Sequence, residues 1–339
     1  MHNMAHGPGT GASLADVAKL AKVSTQTASR VANGSDAVRP DTRERVLAAM
    51  AELGYRPSFA ARSLRAGSYH SIGLSMSGNM EATGRRFQVE GLTAAATRRR
   101  YAITLLQLDD DEATLGEASR RMASLPVDGQ ILYLGATPPD FATFEPPQAL
   151  PTVIISTQHH PYCATISNDQ MGCSVSIVNH FIQKGHREIR FVGGRRESYA
   201  NISRQRGWEQ ALRMRGLHVV EPMHGDWTAD SGYEIGMQLV NDKSCTAIYA
   251  SNDAIAVGII YALRDAGLRV PQDISVIGVD DSLVGVIPHL ELSSYRFNDI
   301  QVGALAFDLA TNPPEGKKPP HILVPGTLVE RSTVAQAPR

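Results

Sequence analysis

Two rhythms of apolar residues divide the chain. Near the start, Leu14, Val17, Ala18 and Ala21 recur at one-face helical intervals, with Ser13 placed to cap the helix and Asp16 near its positive end. After a tight turn, Ser24 is placed to cap a second short helix. Val23, Ala28 and Val31 would turn inward there, while Thr25, Gln26, Ser29 and Arg30 face outward. Residues 40–53 predict a third helix: Pro40 takes the first position, Val46, Leu47, Met50 and Leu53 share a face, and Gly54 follows the end. From residue 72 onward the rhythm changes to short apolar runs, at 72–76, 102–108, 130–134, 152–155, 189–192, 217–220, 246–250 and 274–279. Runs apolar on both faces suit parallel strands covered by helices on each side. The amphipathic stretches 89–99, 172–183 and 253–266 supply such helices, and Lys184-Gly185-His186 reads as a helix stop.

Length and charge sharpen this picture. With 339 residues and 42% hydrophobic positions, there is room for a headpiece and a body too large for one simple core, so two subdomains are expected. Residues 13–67 hold nine basic and five acidic side chains, a net +4, while the whole chain is −1, so the remainder carries −5. A basic head on a mildly acidic body suits attraction to phosphates, because counterion release drives sequence-independent affinity. Cys163, Cys173 and Cys245 lack metal-ligand spacing and read as buried thiols of a reducing compartment. The tail at 1–12 has no apolar core of signal-peptide length, and the longest apolar run, 254–263, is a core helix rather than a membrane span. A cytoplasmic protein without membrane contact is expected.

Three short helices, the second carrying hydrogen-bonding side chains outward, match a helix-turn-helix that lays Thr25, Gln26, Ser29 and Arg30 in a major groove. Alone, the same residues also suit an ordinary helical pair with a solvated face. The segments Leu14-Ala15-Asp16-Val17-Ala18, Val23-Ser24-Thr25-Gln26-Thr27-Ala28-Ser29-Arg30-Val31 and Met50-Ala51-Glu52-Leu53-Gly54-Tyr55-Arg56-Pro57 resemble the amino-terminal signature of the lactose-repressor family. Residues 58–67 resemble that family's hinge, which becomes a short helix on operator DNA and wedges a leucine into the minor groove; Leu64 holds that position here. The resemblance implies DNA contacts from Ser24, Thr25, Gln26, Ser29, Arg30, Asn33, Tyr55, Ala61 and Leu64, and Arg39 can reach a phosphate.

For the body, the resemblance implies two doubly wound subdomains like those of periplasmic sugar-binding proteins. The expected plan is a tail at 1–12, a headpiece at 13–57, a hinge at 58–67 and a body at 68–339. One subdomain would take 68–165 with 293–320, the other 166–292 with 321–339. Ligands of such sheets lie beyond the carboxyl ends of the strands. Ser77, Ser156, Asn252 and Asp280 follow apolar runs, and Arg204 and Trp227 complete the set of candidate effector contacts. Asp280 would accept hydroxyl hydrogen bonds, Arg204 would donate to neighbouring oxygens, Asn252 would do both, and Trp227 offers a flat face to a pyranose ring. Each has a plainer alternative: Asp280 as a helix cap, Trp227 as core, Arg204 paired with a surface carboxylate.

Departures from the family pattern matter too. Arg39 stands where a small polar cap is usual, and Asp299 falls where the lactose repressor places an aromatic pocket residue, which argues against an identical ligand. The chain lacks the leucine-heptad tail of tetrameric members, so a homodimer on a near-palindromic operator is expected. Arg85 and Arg86 near the cleft rim could touch an anionic group, or be plain surface charge. His159-His160 lacks metal spacing, Gly193-Gly194 lacks a full phosphate-loop spacing, and no ordered nucleophile, base and oxyanion set stands out. No cofactor or metal is expected. The reading is therefore a transcriptional regulator, most simply a repressor, controlled by a small molecule of sugar type. The alternatives are a sugar receptor without a DNA role and a co-repressor-dependent regulator binding a purine.

Overall fold

The computed structural model describes residues 12–33, 35, 37–55, 67–77, 83–109, 114–135, 137–314, 316 and 318–338. The chain divides into two compact units between Tyr69 and His70.

In the first unit, α1 (Leu14–Leu20) opens on a reciprocal cap: Ser13 Oγ accepts from the Asp16 N–H, and the Asp16 carboxylate accepts from the Ser13 N–H at 2.9 Å. Helix α2 (Thr25–Ala32) is capped by Ser24, whose Oγ accepts from the Thr27 N–H at 3.1 Å. Helix α3 (Pro40–Glu52) has no side-chain cap; Arg39 holds the cap position and Pro40 removes one orphan donor. The core is Val17, Ala18, Ala21, Ala28, Val31, Val46, Ala49 and Met50, with Leu14, Val23 and Leu53 against its edge. Leu47, expected inside, is exposed. At 100° per residue, Ala49 rather than Leu47 joins Val46 and Met50 on the inner face.

The second unit contains two six-stranded sheets. The first is built from β1 (Ser71–Ser77), β2 (Ala102–Leu108), β3 (Gly129–Tyr133), β4 (Thr152–Ile155), β5 (Ala164–Asn168) and β11 (His321–Val324), in the order β2-β1-β3-β4-β5-β11, all parallel. The second is built from β6 (Ile189–Gly193), β7 (Met223–His224), β8 (Ala247–Ala250), β9 (Ser275–Val279), β10 (Ser293–Arg296) and β12 (Thr327–Val329), in the order β7-β6-β8-β9-β10-β12. Only the β10–β12 pairing is antiparallel in that sheet. The first sheet carries α4 (Thr83–Arg98), α5 (Leu115–Ala123) and α10 (Asp299–Thr311); the second carries α6 (Gln170–Gln183), α7 (Tyr199–Met214), α8 (Ala229–Leu239) and α9 (Asp253–Asp265).

Several expectations shift. The expected subdomain boundaries after 165, 292 and 320 fall at strands; the sheets instead change at Asn168–Asp169, at Phe297–Asn298 and at Pro325–Gly326. Register is the reason, because Ala164, Thr165 and Ile166 pair with β4 and His321 to Val324 pair with β5, whereas Ser293 to Tyr295 pair with β9. The run 217–220 is no strand; Leu217, Val219 and Val220 pack on the core beside α7, and the edge strand is the two-residue β7.

Helices α4 and α10 lie unusually close. A Cβ on Gly303 would meet the Gln88 carbonyl oxygen at 1.8 Å, and one on Gly91 would meet the Ile300 carbonyl oxygen at 2.0 Å. This approach brings Gln88 of α4 against Asp299 at the start of α10. Gly303→Ala should therefore destabilise the body by about 1–3 kcal/mol. Urea unfolding would read the loss as a lower midpoint, and an unchanged midpoint would mean that the two helices can separate at no cost.

Candidate DNA-reading helix and ligand cleft

On α2 the buried Ala28 and Val31 fix the inner face, so Thr25, Gln26 and Arg30 are left exposed on the outer one. Ser29 is half-buried and accepts from Asn33 Nδ2 at 3.3 Å; Asn33 itself is exposed at the helix end. Ser24 is exposed, yet its hydroxyl is engaged in the cap. Arg39 is exposed and makes no cap bond, as its long side chain dictates. Tyr55 is half-buried and packs against the headpiece core, following Gly54, whose φ is +61°. Ala61 and Leu64 lie outside the described residues.

In the body, candidate residues gather at the carboxyl ends of both sheets. Arg204 of α7 is almost wholly buried at 4% exposure, and a buried guanidinium must be paired. Its Nε donates to Gln170 Oε1 at 2.7 Å, Nη1 donates to the Ser251 carbonyl, and Nη2 lies 3.5 Å from Asp280 Oδ1. The pairing partner is thus a cleft carboxylate, not a surface one. The guanidinium also stands 5.3 Å from the Phe297 ring centroid and 5.9 Å from that of Trp227. Burial pushes the Asp280 carboxyl above its usual range, and Arg204 opposes that rise.

Asp280 and Trp227 both occupy the left-handed region, with φ of +99° and +80°. Such backbone costs about 1–3 kcal/mol for each residue and persists only where the surroundings hold it. For Trp227 the hold is visible: its ring lies over Gly194, where a Cβ would come within 2.2 Å of the indole, and its carbonyl accepts from Asn252 Nδ2 at 3.0 Å. Asn252 is consequently not the free contact expected of it. Its Oδ1 caps α9 through the Ile255 N–H at 2.8 Å, and its amide nitrogen grips Trp227, so it positions the site from behind. Ser77 and Ser156 are buried, with their hydroxyls engaged by the Gly135 N–H at 3.0 Å and the Gln158 N–H at 3.1 Å. Ser77 thus ties the segment after β3 to the end of β1, and Ser156 orients the turn that leaves β4.

The opposite wall was largely missed in the sequence. Asp299, at 6% exposure, accepts from Gln88 Nε2 at 2.7 Å and Asn168 Nδ2 at 2.6 Å, both on Oδ1. Burial raises its carboxyl to about 6, with those two hydrogen bonds and Arg204 opposing the rise and Asp280 adding to it. Arg85 is buried rather than a rim charge: it donates to the Ser77 carbonyl and lies over the Tyr133 ring at 4.6 Å. Among the described residues, Arg85 Nε, Gln88 Oε1, Asn168 Oδ1, Asn201 Oδ1 and Ser251 Oγ are buried without a hydrogen-bond partner. All five belong to residues at strand ends or in the first two turns of helices. No described group of three or more His, Cys, Asp or Glu could hold a metal, and no described helix is long and apolar enough to cross a membrane.

Comparison with known proteins adds to this geometry. Residues 13–58 match the model of the bacterial regulatory proteins of the lacI family, and residues 178–334 match a periplasmic binding protein-like domain. Catabolite control protein A of Priestia megaterium is 31% identical over 304 residues, spanning 87% of this chain and 90% of its own length. The HTH-type transcriptional repressor PurR of Pectobacterium carotovorum is 31% identical over 96% of this chain and 98% of its own. A lac repressor dimer bound to operator and the anti-inducer ONPF superposes with a TM-score of 0.79 at 27% identity, covering 96% of this chain and all of that one. The transcriptional regulator CelR in complex with cellobiose gives 0.66 at 27% identity, covering 95% of this chain and 99% of that one.

Beneath the loop that carries Asp280 lies Asp253, which accepts from the Ser282 N–H at 2.6 Å and from Ser294 Oγ at 2.5 Å. Burial raises its carboxyl to about 7. The folded protein then keeps a proton that the unfolded chain releases near 3.8, so stability is highest below that value and falls as pH rises toward 7. Asp253→Asn should flatten this fall, which amounts to about 2–4 kcal/mol. Urea midpoints compared between acidic and neutral pH test it; a slope unchanged in the variant would acquit Asp253.

Proposed function

The chain belongs to the lacI family of bacterial regulatory proteins, and on that footing we propose that it is a repressor whose α2 reads an operator and whose cleft takes a sugar. As in its relatives, the role is regulation rather than catalysis, by a DNA-binding headpiece joined to a ligand-binding body. Thr25, Gln26 and Arg30 would touch base edges in the major groove, with Ser29, Asn33 and Arg39 contributing to register through backbone contacts. Leu64 and Ala61 of the hinge would enter the minor groove. Two copies would bind the two halves of a near-palindromic site, in the cytoplasm, where the DNA is.

The observation that carries the sugar reading is the set of buried polar atoms left unpaired at the cleft, which includes Arg85 Nε, Asn201 Oδ1 and Ser251 Oγ. Each such atom costs about 1–3 kcal/mol unless something satisfies it. A ligand carrying several hydroxyls, each both donor and acceptor, does this for many atoms at once. Trp227 would face the ring, while Arg204 and Asp280 take neighbouring hydroxyls. A purine stacked on Trp227 is the second reading. It is favoured by the likeness to the purine repressors and opposed by the number of polar atoms awaiting partners.

Ligand binding would shift the balance between body conformations and so alter operator affinity, by a coupling of about 1–3 kcal/mol. Fluorescence anisotropy with operator-like duplexes should show sequence-selective binding that weakens steeply with salt. Gln26→Ala or Arg30→Ala should cost about 1–3 kcal/mol and relax selectivity. Equal loss on specific and random DNA would remove those residues from base reading. In calorimetry, Asp280→Asn should weaken the bound sugar about tenfold or more, and unchanged affinity would remove Asp280 from the site.

A further inference from the structure

Asp299 is a buried carboxylate with no cation of its own. Among the described residues no ion pair reaches it, since Arg204 is turned to Asp280 and Arg85 to the Ser77 carbonyl and the Tyr133 ring. Its two hydrogen bonds come from neutral amides, and both fall on Oδ1. No described residue bonds Oδ2.

The two amides complete the picture. Because Gln88 and Asn168 each turn the NH2 end toward Asp299, each turns its carbonyl away, and both carbonyl oxygens are buried without a partner. Gln88 is 6% exposed and Asn168 2% exposed, so water does not satisfy them freely. Swapping either amide end for end would place an oxygen against the carboxylate, so this orientation is enforced. Among the described residues, Asp299 Oδ2, Gln88 Oε1 and Asn168 Oδ1 are thus three acceptors of this wall without a bonded donor.

That arrangement wants a group with several donors, no acceptor and a positive charge. A hydroxyl brings one donor, whereas an ammonium brings three together with the missing cation. We propose that the ligand carries a primary amine, as an amino sugar does, and that its ammonium pairs with Asp299, whose carboxylate no described cation reaches. This rests on the reading of the cleft as a sugar site and adds the feature that distinguishes the ligand from a plain hexose. The Gly303 and Gly91 contacts that pull α4 against α10 are what hold Gln88 in place.

The charge balance sets a pH dependence. The groups facing Asp299 are Gln88 and Arg85 from α4, Asn168 from β5, Tyr133 from β3, and Arg204 and Asp280 across the cleft. Tyr133 stays neutral, burial having raised it to about 12, and Arg204 with Asp280 forms its own pair. Asp299, near 6, is the member that changes charge between neutral and mildly acidic pH. Below that value its carboxyl takes a proton and loses its hold on an ammonium.

Calorimetry on the full-length protein tests this with matched sets: glucosamine and galactosamine, the parent hexoses, and the N-acetylated forms. At about pH 7.5 an amino sugar should bind roughly tenfold or more tighter than its parent hexose and than its N-acetyl form. The preference should shrink toward pH 5.5, and Asp299→Asn should abolish it. Should the variant fold poorly, the wild-type pH dependence still decides. Hexoses binding as well as amino sugars, or an amine preference that survives both Asp299→Asn and acid, overturns the proposal and leaves the sugar cleft standing. No binding by any sugar of the panel overturns both.

Discussion

A guanidinium sealed at the mouth of a sheet dictates much of what surrounds it. Arg204 can be buried only because Gln170, the Ser251 carbonyl and Asp280 meet it from three different elements. Asp280 reaches that position through a left-handed backbone that an aspartate adopts at a cost, and Trp227 beside it bears the same cost. Asn252 offsets part of it by gripping the Trp227 carbonyl while capping α9. Strain, burial and charge are thus concentrated in one half-site, stabilised by the apolar body of the second sheet, where Phe191 stacks on Trp208 at 5.6 Å.

The first sheet answers with a different device. Among the described residues its wall has no salt bridge at Asp299 but two amides oriented by a carboxylate, and their freed carbonyls lack donors. Close helix packing through Gly91 and Gly303 makes that possible, because α10 delivers Asp299 from its first turn to the neighbourhood of α4. The two walls are chemically unlike, one organised around a cation and the other around acceptors. A ligand that satisfies both must itself be asymmetric.

Much of the fold was legible in the sequence, and for identifiable reasons. Ser13, Ser24, Pro40 and Gly54 bracket the headpiece helices, and most of the long apolar runs of the body became strands, because periodicity and caps are local properties. The crossover strands were not legible: Ala164–Asn168 is polar at three of five positions and Ser293–Arg296 at three of four, and only pairing with β4 and β9 makes them strands. The same limit governs the site. Asp280 stood out because it follows an apolar run, Arg204 and Trp227 completed the set through the family resemblance, and the structure brings those three together. Gln88 and Asn168 gave no such signal, since their role depends on a helix approach and on a partner more than a hundred residues away, both meeting Asp299. Asn252 misled because capping and ligand contact ask for the same side chain.

The two walls of the cleft are joined at the three crossings. They run side by side and are tied to one another: Asn298 Nδ2 donates to the Pro325 carbonyl at 2.6 Å, the Asp169 N–H to the Val324 carbonyl at 2.9 Å, and the Gly326 N–H to Tyr295 Oη at 3.0 Å. Arg204 with its partners belongs wholly to the second sheet, and Asp299 with its amides wholly to the first. Each wall is therefore complete before the walls meet. A ligand touching one wall binds open and closed forms alike and shifts nothing, however tightly it binds. Only one that engages both walls at once gains affinity by closure. The division of polar atoms between the two sheets is thus what would let a small molecule draw the two walls of the body together.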